Sequence, residues 1–347
     1  MASSNNNKTV LVTGGSGFIA AHCIIKLLQQ GYSVKTTLRS LNRQDEVKEM
    51  LKNGGINSFE NLSFIQADLT SDNNWNEAVS SCEYVLHVAS PTPVIKFTHE
   101  NEMINPAKDG VLRVLKAAKE AGVKRVVLTS AFGAIGMGHK NRTTPYTEKD
   151  WTNINANIHA YQKSKTIAEQ TAWKFIKNEG GNLELAAINP VGVMGPVLGK
   201  DYSHSHQMIR QMLEGEIKAC PKINSCYVDV RDVADLHLMA MVNPKANGER
   251  FLATSGDALS MLDVANILKR RLGDDAKKVP AKELPNWLLR LAALKNPSLK
   301  MIVTLLNVYM QASGEKAKQI LNWSPRSDEE AIIATAESML KLGLIKK

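Results

Sequence analysis

The chain has 347 residues, of which 44% are hydrophobic and 22% charged, with 22 glycines and 12 prolines. This composition excludes a collagen-like, low-complexity or wholly disordered chain. The 43 Lys and Arg residues exceed the 34 Asp and Glu residues, which gives a formal net charge of +9. Because the basic residues form no block or stripe interleaved with aromatic residues, we expect a solvated surface and no nucleic-acid partner.

The cysteine, histidine and hydrophobic patterns argue against a disulfide-rich, metal-binding, secreted or membrane-spanning protein. Four cysteines without a CxxC spacing indicate idle thiols rather than a disulfide framework or a Cys220–Cys226 disulfide. His204 and His206 lack a third ligand at a recognisable spacing, so we predict no metal site. The chain opens without the apolar stretch of a signal peptide and has no apolar run of about 18 residues. We therefore expect a cytoplasmic protein with no membrane partner.

From Thr9 to Pro190, short apolar runs alternate with longer segments of helical periodicity. The runs predict strands over residues 9–13, 32–39, 62–68, 84–90, 124–130 and 183–190. The intervening segments predict helices over residues 18–30, 45–51, 106–121 and about 159–178. Apolar strands separated by helices indicate a parallel sheet covered on both faces. With right-handed crossovers, this predicts an α/β fold with a doubly wound (Rossmann) parallel sheet.

The alternation fades after Pro190. Residues 227–241 predict a short strand and a helix that could return to the sheet, and residues 259–347 predict mostly helices interrupted by prolines. We therefore predict two domains. They are a Rossmann domain of residues 9–190 with 226–258, and a smaller, mostly helical domain of residues 191–225 with 259–347.

A glycine-rich turn, TGGSGFIA over residues 13–20, joins the first predicted strand to the first helix. Two registers fit a dinucleotide fingerprint, namely GxGxxA from Gly15 and GxxGxxA from Gly14. Glycines allow a tight turn and a close approach of the backbone to a pyrophosphate, and the helix N-terminus offers free N–H groups. A strand-to-helix turn that binds no ligand does not require three glycines at these offsets. We predict that a dinucleotide binds at Gly14, Gly17, Phe18 and Ile19.

The end of the second predicted strand selects the nucleotide. Arg39 and Ser40 stand there, Arg43 follows, and no acidic residue occurs from this strand up to Asp45. An acid at this place bonds the ribose 2′-OH of NAD, whereas a guanidinium binds a 2′-phosphate. We predict NADP(H), with Arg39 as the main contact and Ser40 and Arg43 as helpers. The alternative is that these are exposed loop cations.

Two further strand ends should complete the cofactor site. Asp68 and Leu69 end the third predicted strand, and we expect them at the adenine edge. Asp68 could equally be the N-cap of the next helix. Ala89 and Ser90 end the fourth strand, where the nicotinamide half should lie.

Tyr161 and Lys165 are spaced to lie on one face of a predicted helix. A tyrosine can protonate a carbonyl oxygen as hydride reaches the carbonyl carbon. The ordinary pKa of a tyrosine is near 10, and a neighbouring ammonium and an oxidised nicotinamide ring should lower it. The alternative is an amphipathic helix with a solvated lysine. The spacing alone is weak evidence, and the glycine turn and the end of the fifth strand strengthen it.

Several motifs occur in an order that resembles a known family. They are TGGSGFIA, ADLT (67–70), HVASP (87–91), NPAKDG (105–110), VVLTS (126–130), YQKSK (161–165), NPVGVMGP (189–196) and YVDVRDVA (227–234). Together they resemble the extended short-chain dehydrogenase/reductases, and within these the dihydroflavonol reductase, cinnamoyl-CoA reductase and aldehyde reductase group. The resemblance covers roughly residues 9–260, and the C-terminal part is only loosely similar.

The resemblance implies roles for individual residues. Tyr161 would be the proton donor, Lys165 would orient the nicotinamide ribose and tune Tyr161, and Arg39 would match the NADP-selective position. Further cofactor contacts are implied for Pro190, Val191 and Ser205.

One position departs from the family pattern. The family usually has a Thr-Ser-Ser run in which the second serine is catalytic, whereas this chain reads Thr129-Ser130-Ala131. Either Ser130 reaches the substrate, or a water or Thr129 serves instead. We expect Ser130 to be the catalytic serine.

These inferences favour an NADPH-dependent reductase of aldehydes or ketones, acting on a small carbonyl substrate held by the smaller domain, as a monomer or homodimer. One alternative is a nucleotide-sugar epimerase or dehydratase of the same fold, which would need basic groups for a diphosphate. Arg210, the only arginine among residues 191–225, is the candidate for such a group. The other alternative is a non-catalytic NADP(H)-sensing protein, which the alanine at position 131 keeps open.

Overall fold

The computed structural model describes residues 8–91, 99–139, 142–200, 204–296, 298–306 and 308–346. In these ranges the strands are β1 (Thr9–Val12), β2 (Ser33–Leu38), β3 (Leu62–Gln66), β4 (Cys82–His87), β5 (Arg125–Thr129), β6 (Glu184–Pro190), β7 (Gly192–Met194), β8 (Cys220–Pro221), β9 (Asn224–Ser225), β10 (Tyr227–Asp229), β11 (Arg250–Ala253), β12 (Leu259–Ser260) and β13 (Glu283–Leu284). The α-helices are α1 (Phe18–Gln29), α2 (Gln44–Asn53), α3 (Trp75–Val79), α4 (Asn101–Glu120), α5 (Ala160–Glu179), α6 (His204–Leu213), α7 (Val230–Val242), α8 (Met261–Leu272), α9 (Asn286–Lys295), α10 (Ser298–Thr304), α11 (Glu315–Leu321) and α12 (Asp328–Lys341).

Seven strands form the central sheet in the order β11-β6-β5-β4-β1-β2-β3, and every neighbouring pair is parallel. The chain runs outward from β1 in one direction through β2 and β3, and in the other direction through β4, β5 and β6. The order therefore reverses between β1 and β4, as in a doubly wound fold, and ligands bind in the crevice at the carboxyl ends of such strands. The predicted fold class is confirmed.

Helices cover both faces of the sheet. One apolar cluster lies between the sheet and α1, α2 and α7, and a second lies between the sheet and α3, α4 and α5. Helix α1 buries Ala20, Cys23, Ile24 and Leu27, which recur at the three- and four-residue spacing of a helix face. Burial of an isoleucine or leucine side chain contributes about 1.5–3 kcal/mol. This packing fixes the helix that follows the glycine turn.

Helix α4 begins at Asn101, although the sequence predicted a start at Pro106. Pro106 lies in the second turn, where it has no N–H to donate to the carbonyl of the residue four positions earlier. The added turn contains Met103 and Ile104, and both side chains are buried. Their burial offsets the missing hydrogen bond, so the helix continues on the N-terminal side of the proline.

The strand predicted within residues 227–241 exists, but it does not join the central sheet. β10 pairs in parallel with β7, whereas the edge of the central sheet beside β6 is taken by β11. All four residues of β11 are buried. Since both segments are short and apolar, their local patterns do not decide which of them pairs with β6.

A third apolar cluster joins β7 and α6 to α8 and α12, beyond the carboxyl ends of the sheet strands. Thr335 ties this unit together, because its Oγ1 accepts a hydrogen bond from the amide of Gly195 at 2.7 Å. Ala317, Leu321 and Trp323 pack instead on the cluster that covers the sheet. The two-domain division and its boundaries stay a prediction, and the third cluster supports a separate smaller unit.

Candidate active site

A cavity of about 1120 Å³ follows the carboxyl edge of the sheet. Drug-sized ligands occupy pockets of about 300–1,000 Å³, so this cavity has room for an extended dinucleotide and a small second molecule. Sixteen predicted site residues line it, namely Gly14, Gly17, Phe18, Ile19, Arg39, Ser40, Arg43, Asp68, Leu69, Ala89, Ser90, Ser130, Tyr161, Lys165, Pro190 and Val191. Ser205 falls in α6, and its side chain lies outside the described part of the structure.

The glycine turn brings bare backbone to the cavity. Gly14 has a φ of +74°, and its amide donates to Thr37 Oγ1 at 2.9 Å. A Cβ on Gly14 would lie 3.0 Å from the Cβ of Ala89, and a Cβ on Gly15 would lie 2.3 Å from Thr36 Oγ1. The turn therefore has no space for larger residues at these two positions, which explains the two glycines.

The N-terminus of α1 is suited to an anion. Gly17 is the N-cap and makes no side-chain capping bond, and the first turn contains no acidic residue. Gly17, Phe18 and Ile19 line the cavity. The positive end of the helix dipole and the free N–H groups of the first turn favour phosphate at this place.

Two cations lie at the end of β2. Arg39 is exposed, whereas Arg43 forms two 2.8 Å bonds to Glu46 and donates from Nη1 to Ser16 Oγ at 3.2 Å. The Oγ of Ser40 accepts a 3.4 Å hydrogen bond from the backbone of the following loop. Arg43 therefore bridges this loop and the glycine turn, and Arg39 is the more available of the two guanidinium groups.

Asp68 is not the N-cap of the next helix. Its Oδ1 accepts from the amide and the hydroxyl of Thr70, each at 2.8 Å, and Asn74 is the N-cap of α3. Asp68 therefore closes a local turn at the end of β3. Asp68 and Leu69 both line the cavity, as the adenine-edge interpretation requires.

A buried link joins the ends of β1 and β4 beneath Ala89. Thr13 Oγ1 lies 2.9 Å from His87 Nδ1 and accepts a 3.0 Å hydrogen bond from the amide of Ala89. Burial lowers the pKa of His87 to about 3, and the charge of Lys165 adds to this effect. His87 is therefore a neutral structural group, and it fixes the backbone on which Ala89 and Ser90 stand.

The predicted Tyr–Lys pair lies at the N-terminal end of α5. His159 caps this helix, because its Nδ1 accepts the amide of Tyr161 at 3.2 Å. Lys165 is buried and donates from Nζ to the carbonyl of Thr129 at 3.2 Å. Tyr161 and Lys165 line the same cavity, one helical turn apart, so the structure brings the two together as predicted.

The pKa values of the pair follow burial. Burial lowers the pKa of Lys165 to about 8, while the carboxylate of Glu169 opposes the change. Burial raises the pKa of Tyr161, although a lower value was expected from a neighbouring ammonium and an oxidised nicotinamide. Desolvation penalises the charged phenolate and so raises the pKa of the phenol. The phenol is therefore fully protonated at neutral pH and has a proton to give.

The predicted role of Ser130 does not agree with its geometry. Its Oγ donates to Glu169 Oε2 at 2.5 Å, and both residues are buried. A hydroxyl has one proton, and here that proton goes to a carboxylate and not toward the cavity. Thr129, the other candidate, has its Oγ1 2.7 Å from His237 Nε2.

Sequence reasoning missed the network around Glu169. Besides Ser130, this carboxylate binds Asn189 Nδ2 at 2.8 Å and Arg250 Nε at 2.6 Å, and it accepts from Trp173 Nε1 at 3.2 Å. A buried carboxylate is stable when a cation and several donors satisfy it. The signal was present on α5, because Glu169 follows Lys165 by one helical turn on the buried side.

The end of the cavity beside Tyr161 is largely apolar. Its walls include the side chains of Phe132, Met137, Cys226 and Met310. The four cysteines of the chain, all in described segments, are free and buried. This end therefore suits the apolar part of a small substrate.

The described segments contain no candidate metal site and no candidate membrane-spanning helix. No cluster of three or more His, Cys, Asp and Glu side chains is arranged there to hold a metal ion, and no helix there is long and apolar enough to cross a membrane. The ring of His206 lies edge-on to Phe18, with centroids 4.3 Å apart, and burial lowers its pKa to about 4.

The chain is similar to a known family and to known proteins over most of its length. The family model described as the NAD dependent epimerase/dehydratase family matches residues 10–253. Cinnamoyl-CoA reductase CAD2 from Medicago truncatula is 33% identical over 336 residues, covering 92% of this chain and 98% of that protein. Cinnamoyl-CoA reductase 1 from Arabidopsis thaliana is 35% identical over 254 residues, covering 72% of this chain and 71% of that protein.

Among solved structures, yeast methylglyoxal/isovaleraldehyde reductase Gre2 complexed with NADPH is similar along almost the whole chain. The TM-score is 0.80 at 26% identity, and the match covers 96% of this chain and 99% of that one. The resemblance drawn from the order of the motifs is confirmed.

Proposed function

This chain belongs to the NAD dependent epimerase/dehydratase family, and from this premise we propose that it is an NADPH-dependent reductase that converts aldehydes or ketones to alcohols. One observation carries the proposal. The Tyr161–Lys165 pair lines the same cavity as the glycine turn and Arg39. The proton donor Tyr161, the phosphate-binding glycine turn and the cation Arg39 therefore line one crevice.

The residues present fit NADP(H). The first turn of α1 would hold the pyrophosphate, and Arg39, helped by Ser40 and Arg43, would hold the 2′-phosphate. Leu69 and Asp68 would face the adenine, and the nicotinamide half would lie along the residues Ala89, Ser90, Pro190 and Val191. When bound, the cofactor supplies the hydride. The related Gre2 structure contains NADPH, in agreement with the predicted cofactor.

The chain supplies the proton and the positive charge. Tyr161 donates its phenolic proton to the carbonyl oxygen, and its raised pKa keeps the donor protonated at neutral pH. Lys165 stabilises the phenolate that remains, since a nearby ammonium favours the charged form of the phenol. Lys165 also has further N–H groups besides the one given to Thr129, and these would bind the ribose hydroxyls.

Reduction is favoured over the epimerase alternative because the cations among the described lining residues, Arg39, Arg43 and Lys165, are those assigned to the cofactor. Arg210 was the cation expected to hold a diphosphate. It is paired with Glu214, and it also contacts Glu216 at 3.3 Å. Neutralised by two carboxylates, it is a poor partner for a nucleotide-sugar diphosphate.

The proposal extends to the setting of the enzyme. The enzyme binds a small carbonyl compound, and neither nucleic acid nor a membrane is its partner. It acts in the cytoplasm as a monomer or homodimer. The free thiols support a reducing compartment.

A panel of aldehydes and ketones, followed at the NADPH absorbance and repeated with NADH, tests the proposal. We expect NADPH oxidation with at least one carbonyl and much slower oxidation of NADH. Tight NADPH binding without turnover of any carbonyl would instead support the sensor, and a cofactor retained through purification without net consumption would support the epimerase.

A further inference from the structure

Among the described residues that line the cavity, the serine that the family resemblance places beside the carbonyl oxygen is missing. Ala131 lines the cavity at the position where the family resemblance places a catalytic serine, and it has no hydroxyl. The hydroxyls of Thr129 and Ser130 are bonded to His237 and Glu169. Ser225, also on the cavity wall, donates to the carbonyl of its neighbour at 3.2 Å.

Gln162 differs from these groups. It lines the same cavity directly after Tyr161, and its Oε1 is buried without a hydrogen-bond partner among the described residues. A buried polar atom in a native protein normally has a partner. The carboxamide therefore has hydrogen-bonding capacity that the chain itself does not use.

The side chain of Gln162 lies against the loop that follows Ala131. A Cβ on Gly133 would come within 3.2 Å of Gln162 Cγ, so glycine at position 133 leaves the space that the glutamine fills. The backbone is fixed as well, because Gln162 donates its amide to His159 and accepts from Thr166 Oγ1 at 2.7 Å. The side chain of Gln162 is thus held against Gly133, two residues after the alanine at the serine position, and both Ala131 and Tyr161 line the same cavity.

We propose that Gln162 is a catalytic residue, whose side-chain N–H donates to the carbonyl oxygen that Tyr161 protonates. This inference rests on the proposed reductase function. A carboxamide has two donors and one acceptor, and a half-turn of its last torsion exchanges the two ends. The N–H can therefore supply the hydrogen bond that a serine hydroxyl at position 131 would supply.

The test compares Gln162→Met, which keeps length and bulk but removes the amide, with the same change at Gln170. Gln170 is exposed on the same helix and serves as the matched control. We expect Gln162→Met to lower kcat about 100- to 1,000-fold, the usual effect of removing a donor to a developing oxyanion. Gln170→Met should leave kcat unchanged, and neither substitution should change NADPH affinity.

Rescue separates a donor from a packing residue. Adding Ala131→Ser to Gln162→Met should raise kcat at least about tenfold above that of Gln162→Met alone, because it returns a hydroxyl to the serine position. Unchanged kcat in Gln162→Met, or no recovery in the double variant, would overturn the inference about Gln162. The reductase function would still stand in that case, because the wild type is active. A wild type that reduces no carbonyl would overturn both.

Discussion

Arg39 is the residue whose contribution to cofactor choice is easiest to isolate. It is exposed at the end of β2 and lines the cavity. Arg39→Ala should weaken NADPH binding by about tenfold or more, near 1.4 kcal/mol, because a 2′-phosphate loses its guanidinium partner. NADH binding should change little, and a titration with each cofactor measures both effects.

Arg43→Ala is the natural comparison for this experiment. Its guanidinium is already engaged by Glu46, so we expect a smaller loss of NADPH affinity than in Arg39→Ala. A wild type that uses NADH as well as NADPH would contradict the assignment of this strand end to a 2′-phosphate.

Residue types indicated the place of Ser130 but not its partner. The sequence places a serine at the end of β5, and the structure agrees. Its bond to Glu169 joins residues 39 positions apart, and the Arg250–Glu169 ion pair joins residues 81 positions apart. Such pairs depend on which strands become neighbours, and spacing along the chain does not show this.

Helix α5 holds the reacting groups at its buried side. Its first turn is capped by His159 and carries Tyr161, and the next turns carry Lys165 and Glu169. Since a helix repeats every 3.6 residues, Tyr161, Lys165 and Glu169, which are spaced four apart, lie along a single face. The chemistry of the site therefore depends on how deeply this one face is buried.

The pKa of Lys165 predicts how turnover depends on pH. With its pKa lowered to about 8, Lys165 is charged below that pH and becomes neutral as the pH rises through it. The raised pKa of Tyr161 keeps the phenol protonated over this range. We expect kcat/KM for NADPH, which reports the free enzyme, to fall with a midpoint near pH 8.

Glu169→Gln checks the cause of this profile. The carboxylate of Glu169 raises the pKa of Lys165, so its removal should move the midpoint to lower pH. A profile flat to about pH 10, the ordinary range of a lysine, would contradict the assignment, as would a shift to higher pH in the variant.

Elements with strong local patterns were predicted well. The buried strands of the parallel sheet are continuous apolar runs, and β1 to β6 were all predicted, with ends that differ by a few residues. Helix α3 was missed because it has five residues, too few to show a helical period. The pairing of β10 with β7 was also missed, since the competition between two short strands for one edge is settled by tertiary packing.

At the scale of the whole molecule, topology assembles the site. The glycine turn follows β1, the cations follow β2, and Ala89 and Ser90 follow β4. All strands of the central sheet are parallel, so these segments meet at one edge although they are far apart in sequence. Binding and proton donation are thus carried by different elements around a single cavity, and one should be separable from the other.

Tyr161→Phe, assayed for turnover and for NADPH affinity in the same preparation, tests this claim most directly, with the exposed Tyr309 changed to Phe as control. We predict that Tyr161→Phe lowers kcat by about 100-fold or more and leaves the NADPH Kd within about twofold, while Tyr309→Phe changes neither. Unchanged turnover in Tyr161→Phe would contradict the account.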